Sequence, residues 1–238
     1  MNSVFCLVKK THTSLCAGYV TMKQQKDNPD MKSFFLCLFL CLSMSLLGQY
    51  EKNIQLAAPD TSAENSFLSV YLNRSSASDF TDIELSDEEI SDLLWSANGI
   101  NRPASGKRTA PSALNAQDID IFLFSSDGVF LYIPENHELQ MVSESDSRVL
   151  LVGESFSVVP PQVLLLVSDV SRFTFGTDEM RMEWAAIDAG IVTQNILLFC
   201  SWNNILARPR SVMEKDKIIR LLGLSDSQHV LLNIPLSK

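Results

Sequence analysis

Along the chain the spacing of apolar positions switches between helical and strand periods, and the switches mark its elements. Over residues 87–97, Ile90, Leu93, Leu94 and Ala97 fall at i, i+3, i+4 and i+7, one face of a helix. Ser86 followed by Glu89 reads as a capping box, hydroxyl and carboxylate each satisfying a backbone N–H at the helix start. Asn98-Gly99 supplies residues that tolerate a left-handed stop. Residues 119–124 and 129–133 are β-rich runs separated by Ser125-Ser126-Asp127-Gly128, a hairpin signal, and Pro134-Glu135-Asn136 turns the chain into a third run at 138–142. A further strand at 162–170 follows Pro160-Pro161, and a last one covers 228–235.

Residues 182–202 predict a long helix with Trp184, Ile187, Ile191, Asn195, Leu198 and Trp202 along one face and apolar residues on the others, the pattern of a helix buried nearly all round. Glu183, Asp188, Gln194 and Asn195 make it a poor membrane span, so it reads as a core or dimer-interface helix. A second amphipathic helix at 214–222 closes on Gly223-Leu224 in the manner of a Schellman cap. A meander, helices and a returning C-terminal strand together define an α+β fold.

The first fifty residues follow another rule. Met31-Lys32-Ser33 is a short basic start, and residues 34–47 are an almost unbroken apolar run ending at Gly48-Gln49, the organisation of a signal peptide. The run is shorter than the roughly 20 residues a spanning helix needs. The expectation is a signal peptide at 31–48, translation from Met31 with residues 1–30 untranslated or dispensable, and an exported protein, periplasmic or secreted. Residues 49–66 are polar, with Pro59, Thr61 and Ser62, and read as a linker or an arm lying on a partner subunit; the globular pattern covers 67–238.

Removing residues 1–48 changes the charge and cysteine picture. That segment carries five Lys and two Asp, so 14 basic and 26 acidic residues remain, a net charge of about −12. Nucleic-acid binding rests on clustered Lys and Arg, and this balance argues against it. Of five cysteines only Cys200 remains, among Leu197, Leu198, Phe199 and Trp202, which fits a buried apolar thiol better than a nucleophile. His137 and His229 have no Cys, Asp or Glu at metal-ligand spacing and read as turn or strand-edge residues, so no metal is expected. No nucleophile elbow, Cys-x-x-Cys pair, P-loop or dinucleotide fingerprint occurs. Asp87-Glu88-Glu89 suits a helix N-terminus better than acid–base work.

Two segments carry candidate chemistry. Pro111-Ser112-Ala113-Leu114-Asn115 is a small, polar loop running into a strand, able to present backbone amides and one side-chain amide to a planar ligand. The Asn115 amide offers both a donor and an acceptor, or it caps the turn into the strand. Arg74-Ser75-Ser76-Ala77-Ser78-Asp79-Phe80 precedes the capped helix; Arg74 is a ligand contact or a solvated surface cation. Arg210, between Pro209 and Ser211, poses the same alternative.

Taken together, Arg74-x-Ser76 with Phe80, then Arg108-x-Ala110-Pro111-Ser112-Ala113-x-Asn115, and Gln194-Asn195 with Arg210 resemble the nitroreductase superfamily, particularly its SagB-type dehydrogenase branch. The resemblance spans roughly residues 67–238 and implies a nitroreductase-like fold, bound FMN, and a homodimer whose two subunits build each flavin site. By its family pattern Arg74, Ser76, Ser78 and Arg210 would meet the phosphate, the ribityl chain or the ring, and Pro111, Ser112, Ala113 and Asn115 the ring. The flavin would carry the chemistry, leaving the catalytic side chain unassigned, with a small planar substrate and a nicotinamide or another electron donor. Three departures stand out: Ser78 where relatives place Arg or Lys, Asn204-Ile205-Leu206 for Gly-Leu-Gly, and Leu232-Asn233-Ile234-Pro235-Leu236-Ser237-Lys238 for Pro-Val-Gly-Tyr-Pro-Lys. They support the alternative of a non-enzymatic exported domain that keeps the fold and has lost flavin.

Overall fold

The computed structural model describes residues 67–238. The expected signal peptide at 31–48 and the arm at 49–66 lie outside the described residues.

Six strands form one antiparallel sheet in the order β5-β4-β3-β6-β8-β7: β3 (Ile119–Ser125), β4 (Gly128–Ile133), β5 (Glu138–Ser143), β6 (Gln162–Asp169), β7 (Leu206–Ala207) and β8 (Gln228–Ser237). A separate two-stranded hairpin joins β1 (Ile100–Arg102) to β2 (Lys107–Arg108). The helices are α1 (Phe67–Asn73), α2 (Asp87–Asn98), α3 (Val149–Val152), α4 (Asp178–Trp202) and α5 (Lys215–Leu222). This is the expected α+β architecture.

Residues 121–124 of β3 and 163–167 of β6 are apolar without a break because both sheet faces are covered. Ile121, Leu123, Leu164, Leu166 and Ile234 point to the face packed by Leu93 and Leu94 of α2 and by Ala189, Val192 and Ile196 of α4. Phe122, Phe124, Val163, Leu165 and Val167 point the other way, against Leu151 of α3 and Ile218 of α5. Alternation therefore divides one strand between two cores, with β3 and β6 in register at Ile121↔Leu166 and Leu123↔Leu164. Truncating a fully buried residue such as Leu164 or Ile196 to Ala costs about 2–5 kcal/mol.

Local signals explain several boundaries. The capping box of α2 is formed: Ser86 Oγ accepts from Glu89 N–H at 3.3 Å, and Glu89 Oε2 accepts from Ser86 N–H at 2.9 Å. α4 begins four residues earlier than the apolar pattern suggests, because Thr177 caps it by accepting from Met180 N–H. Gly223 takes the left-handed conformation that ends α5, and Leu224 N–H donates to Ile219 O at 3.0 Å. The stop of α2 differs from expectation. Gly99 is extended, with φ −75°, and glycine is needed for space: a Cβ would lie 2.6 Å from both Cδ1 and O of Trp95. In the β3–β4 hairpin the turn residues are Ser126 and Asp127, while Gly128 already pairs with Ser125.

The long helix is not buried all round. Ala185, Asp188, Ala189, Val192, Ile196 and Cys200 face the core, whereas Ile187 and Trp202 are about half exposed at 52% and 53%. α4 is long and apolar enough to cross a membrane by length and composition, yet its inner stripe is part of the sheet's core. His137 sits in the β4–β5 turn, as expected, and ties it to the rest: its Nε2 is hydrogen-bonded to Ser91 Oγ of α2 at 2.8 Å and its Nδ1 to Tyr132 OH at 2.9 Å.

Candidate functional site

Arg74 follows α1, and its backbone N–H donates to Val70 O at 2.9 Å. Three residues on, Ala77 N–H donates to Ala207 O of β7 at 3.0 Å, which lays the Arg74–Phe80 segment alongside the strand that leaves α4. A cavity of about 220 Å³ opens there, lined by Asn73, Ser75 and Ala77 on one side and Cys200, Asn204 and Leu206 on the other. Among the described residues the guanidinia of Arg74 and Arg208 have no hydrogen-bond or ion-pair partner, so this end of the molecule holds two uncommitted cations. Ser76 and Ser78 are exposed on the same segment. Asn204 adopts the left-handed conformation that a glycine would take, with φ 54°, and Leu206 pairs with Ser237.

Arg210 is used differently from what its motif position implies. Its backbone pairs with Asn233, while its guanidinium donates to Val152 O at 3.3 Å and Ser155 Oγ at 2.9 Å and lies 5.0 Å from the centre of the Phe156 ring. Phe156 in turn meets Phe80 edge-to-face at 4.8 Å. Burial and the nearby Arg208 push the Arg210 pKa down. Arg210 therefore braces the loop after α3, whose Phe156 meets Phe80, and its charge is partly spent.

The Pro111–Asn115 loop lies elsewhere, against the middle of α4. Ala113 N–H donates to the carboxylate of Asp188, at 2.8 Å to Oδ2 and 3.2 Å to Oδ1. Ser112 Oγ accepts from Gln117 N–H at 2.8 Å, and Asn115 N–H donates to Ser112 O at 3.0 Å. The expectation that amides around Ala113 would be offered to a ligand is thus corrected: the Ala113 N–H is consumed inside the protein. The Asn115 side chain caps nothing among the described residues and is exposed, so its amide stays free for a ligand. Pro111 and Leu114 are exposed beside it, and Ser112 keeps its hydroxyl proton.

Three non-glycine residues of this loop have positive φ: Leu114 and Asn115 at 55° and Gln117 at 51°. Such strain persists only where the surroundings over-determine the backbone, and it gathers at functional sites. The braces are visible. Gln117 Nε2 donates to Gly106 O in the β1–β2 hairpin at 2.9 Å, and Gln117 O accepts from Arg172 at 2.9 Å. Arg172 is itself held by Asp120 through a bidentate pair at 2.9 and 2.7 Å. Asp118 and Asp188 are buried beneath the loop, at 0% and 2% exposure. Sequence reasoning missed Asp118, Arg172 and Asp188; a charged residue at 188 on the otherwise apolar inner stripe of α4 was the available signal.

The remaining family positions resolve as follows. Asn195 donates to Ala97 O at 3.1 Å and locks α4 to α2. The final residues engage α2 and the segment before it: Lys238 pairs with Glu89, and Thr81 Oγ1 donates to Lys238 O at 2.7 Å. Cys200 is buried, its thiol pushed up to about 12 by burial, which makes it inert. A larger cavity, about 390 Å³, lies between α2 and the meander around Ile90, Phe130 and Tyr132, and none of the motif residues lines it.

The nitroreductase family model matches residues 71–237, and the chain belongs to this family. Among solved structures, it is similar to a protein of Ralstonia eutropha JMP134 assigned as a nitroreductase, at 25% identity and TM-score 0.69, covering 80% of this chain and 91% of that one. The Escherichia coli microcin synthetase McbBCD complex, solved with truncated pro-MccB17 bound, matches at 17% identity and TM-score 0.60 over 89% and 94% of the two chains. A nitroreductase family protein of Clostridium difficile 630 matches at 16% identity and TM-score 0.52, over 72% and 83%. No curated protein matches the sequence. Membership makes this chain an oxidoreductase of flavin type with a nitroreductase-like fold.

Proposed function

We propose that the protein is an exported, FMN-dependent oxidoreductase of the SagB-type dehydrogenase-like branch, acting as a homodimer in which each cofactor site takes one half from each subunit. The observation that carries this reading is the separation of the two candidate segments along α4. The Pro111–Asn115 loop is anchored at Asp188, and α1, which leads into Arg74, is anchored where Ser201 Oγ donates to Val70 O at 2.7 Å. Thirteen helical residues separate these anchors, about 20 Å. One subunit therefore offers two half-sites facing different places, and a two-fold partner can bring unlike halves together.

The surface between the anchors supports that assembly. Ile187 and Trp202 of α4, Trp95 of α2 and Phe67, Tyr71 and Leu72 of α1 are exposed, and an open apolar groove runs between Phe67, Ser96, Leu198 and Trp202. Exposed apolar surface of this kind marks an interface.

The residues present fit FMN in kind. Arg74 and Arg208 are uncommitted cations whose chain neighbours line a cavity smaller than the roughly 300–1,000 Å³ of a complete ligand pocket, and they suit a phosphate. Ser76 and Ser78 add hydroxyls; Pro111, Ser112 and Asn115 give a small surface with one free amide for a ring edge. FMN bound there would supply hydride transfer to or from a small planar substrate, with a nicotinamide or another donor, while the protein binds, orients and excludes water. The visible absorption of protein expressed from Gln49 onward tests the reading. About one FMN per subunit supports it. A colourless protein that binds no added FMN overturns it in favour of a flavin-free domain on the same fold.

A further inference from the structure

Asp118 and Asp188 lie seventy positions apart in sequence, at the entry to β3 and on the inner stripe of α4, and both line a small cavity under the Pro111–Gln117 loop. Their hydrogen bonds are nearly all assigned. Asp118 Oδ2 accepts from Ser168 Oγ at 2.5 Å, and Asp188 accepts the Ala113 N–H with both oxygens. Asp118 Oδ1 is buried and has no donor. A bare oxygen on a buried ionised carboxylate, with a second carboxylate beside it, is a costly arrangement. A proton on Oδ1 removes the cost by turning the orphan acceptor into a donor toward Asp188.

The surrounding charges offer no other solution. Arg172, in the turn after β6, spends its guanidinium on Asp120 of β3, on Gln117 O and on Asp169. Asp169 is further occupied by Ser171 and Ser227. From β6 the group facing Asp118 is the neutral Ser168 hydroxyl, and from α4 it is Asp188. Arg172 still acts on Asp118 through space, but among the described residues no cation hydrogen-bonds to either carboxylate under the loop.

We propose that Asp118 and Asp188 form a proton-sharing positioning pair that holds the Pro111–Gln117 loop, so that cofactor retention depends on one proton. The cofactor half of this proposal rests on the flavin reading of the loop. Burial, followed by the hydrogen bond and charge of Asp188, pushes Asp118 up to about 7, and Asp188 is also raised, chiefly by burial. The folded value lies above the ordinary 3.8. The contribution to stability is therefore complete in acid and is lost as pH rises toward and through about 7. Above that, two carboxylates face each other and the Ala113 anchor loosens.

The test starts with cofactor-free protein, followed by infrared difference spectroscopy and by hydrogen exchange of the Ala113 amide. The wild type is expected to show a protonated-carboxyl carbonyl band that titrates near pH 7, and Asp118→Asn to lack it while keeping Ala113 protected, since an amide donates to Asp188 at every pH. Ser168→Ala, which removes the hydrogen bond stabilising ionised Asp118, should move the midpoint upward and serves if Asp118→Asn does not fold. With FMN added, the wild-type dissociation constant should rise about fivefold between pH 6 and pH 8, half of the roughly tenfold limit set by a one-unit difference in Asp118 pKa between loaded and empty protein. Asp118→Asn should flatten that rise. A band that does not titrate near pH 7, or equal pH dependence in wild type and Asp118→Asn, overturns the pair. Absence of FMN binding at every pH overturns the flavin reading and the cofactor half, while the band and the exchange still decide the pair.

Discussion

The N–H of Ala77 donates to the carbonyl of Ala207 across 130 residues of sequence at 3.0 Å, and this bond joins the segments carrying Arg74 and Arg208, whose chain neighbours Asn73, Ser75 and Ala207 line one small cavity. Arg210, which the sequence groups with Arg74 in one motif set, instead turns its guanidinium to Val152 O and Ser155 Oγ.

Arg74→Ala should weaken FMN binding by about 1.5–3 kcal/mol, the loss expected for a hydrogen bond to a charged group. Arg210→Ala should behave otherwise. It loses two hydrogen bonds and the contact with Phe156, so it should lower unfolding stability by about 1–2 kcal/mol and leave most of the FMN affinity intact. Isothermal titration with FMN and thermal melting of both variants check the division; equal losses of affinity would put Arg210 back at the phosphate.

Leu114 holds a left-handed backbone, which costs a non-glycine residue roughly 1–2 kcal/mol, and its side chain is 56% exposed. Leu114→Gly should therefore be neutral or slightly stabilising, and Leu114→Ile should destabilise by about 1 kcal/mol or more because a β-branched residue tolerates that conformation worse. Chemical denaturation at constant m-value reads both. A stable Leu114→Ile would mean that the strain is released elsewhere in the loop.

Ser78 stands on the segment beside Arg74 where relatives resembling this chain place a cation. Arg108 does not replace it, being buried at 7% exposure and turned toward Glu135. Ser78→Arg should raise the midpoint potential of bound FMN by tens of millivolts, since about 30 mV corresponds to 1.4 kcal/mol for a two-electron couple. Spectroelectrochemistry of the loaded variant measures it, and an unchanged potential would place Ser78 away from the ring.

Much of this architecture was legible because its signals are local. The Ser86–Glu89 box, the β3–β4 turn and the Gly223 cap each lie within a few residues of what they control. The four-residue α3 and the β1–β2 hairpin carry too few residues for a period to show. Gly99 was read as a conformational glycine, and its true constraint is the Trp95 ring and carbonyl against it; Gly99→Ala should cost about 1–3 kcal/mol as overpacking, measurable by thermal melting. Of the motif residues, the Arg74 and Asn115 side chains have no partner among the described residues, while the Arg210 guanidinium and the Ala113 N–H are engaged inside the protein. Nothing local could show that Asp118 faces Asp188, because that contact exists only once α4 packs on the sheet.

The central claim is that each flavin site combines the Arg74 end of one subunit with the Pro111–Asn115 loop of its partner. Two variants, Arg74→Glu and Asn115→Trp, each spoil one half of every site, and co-expressing them with different affinity tags allows the mixed dimer to be purified. The measurement is its FMN content. The account predicts that each variant alone is nearly colourless and that the mixed dimer, with one intact site assembled from the two unspoiled halves, holds about one FMN per dimer. A mixed dimer as empty as its parents, or a wild-type monomer that holds FMN by itself, would contradict it.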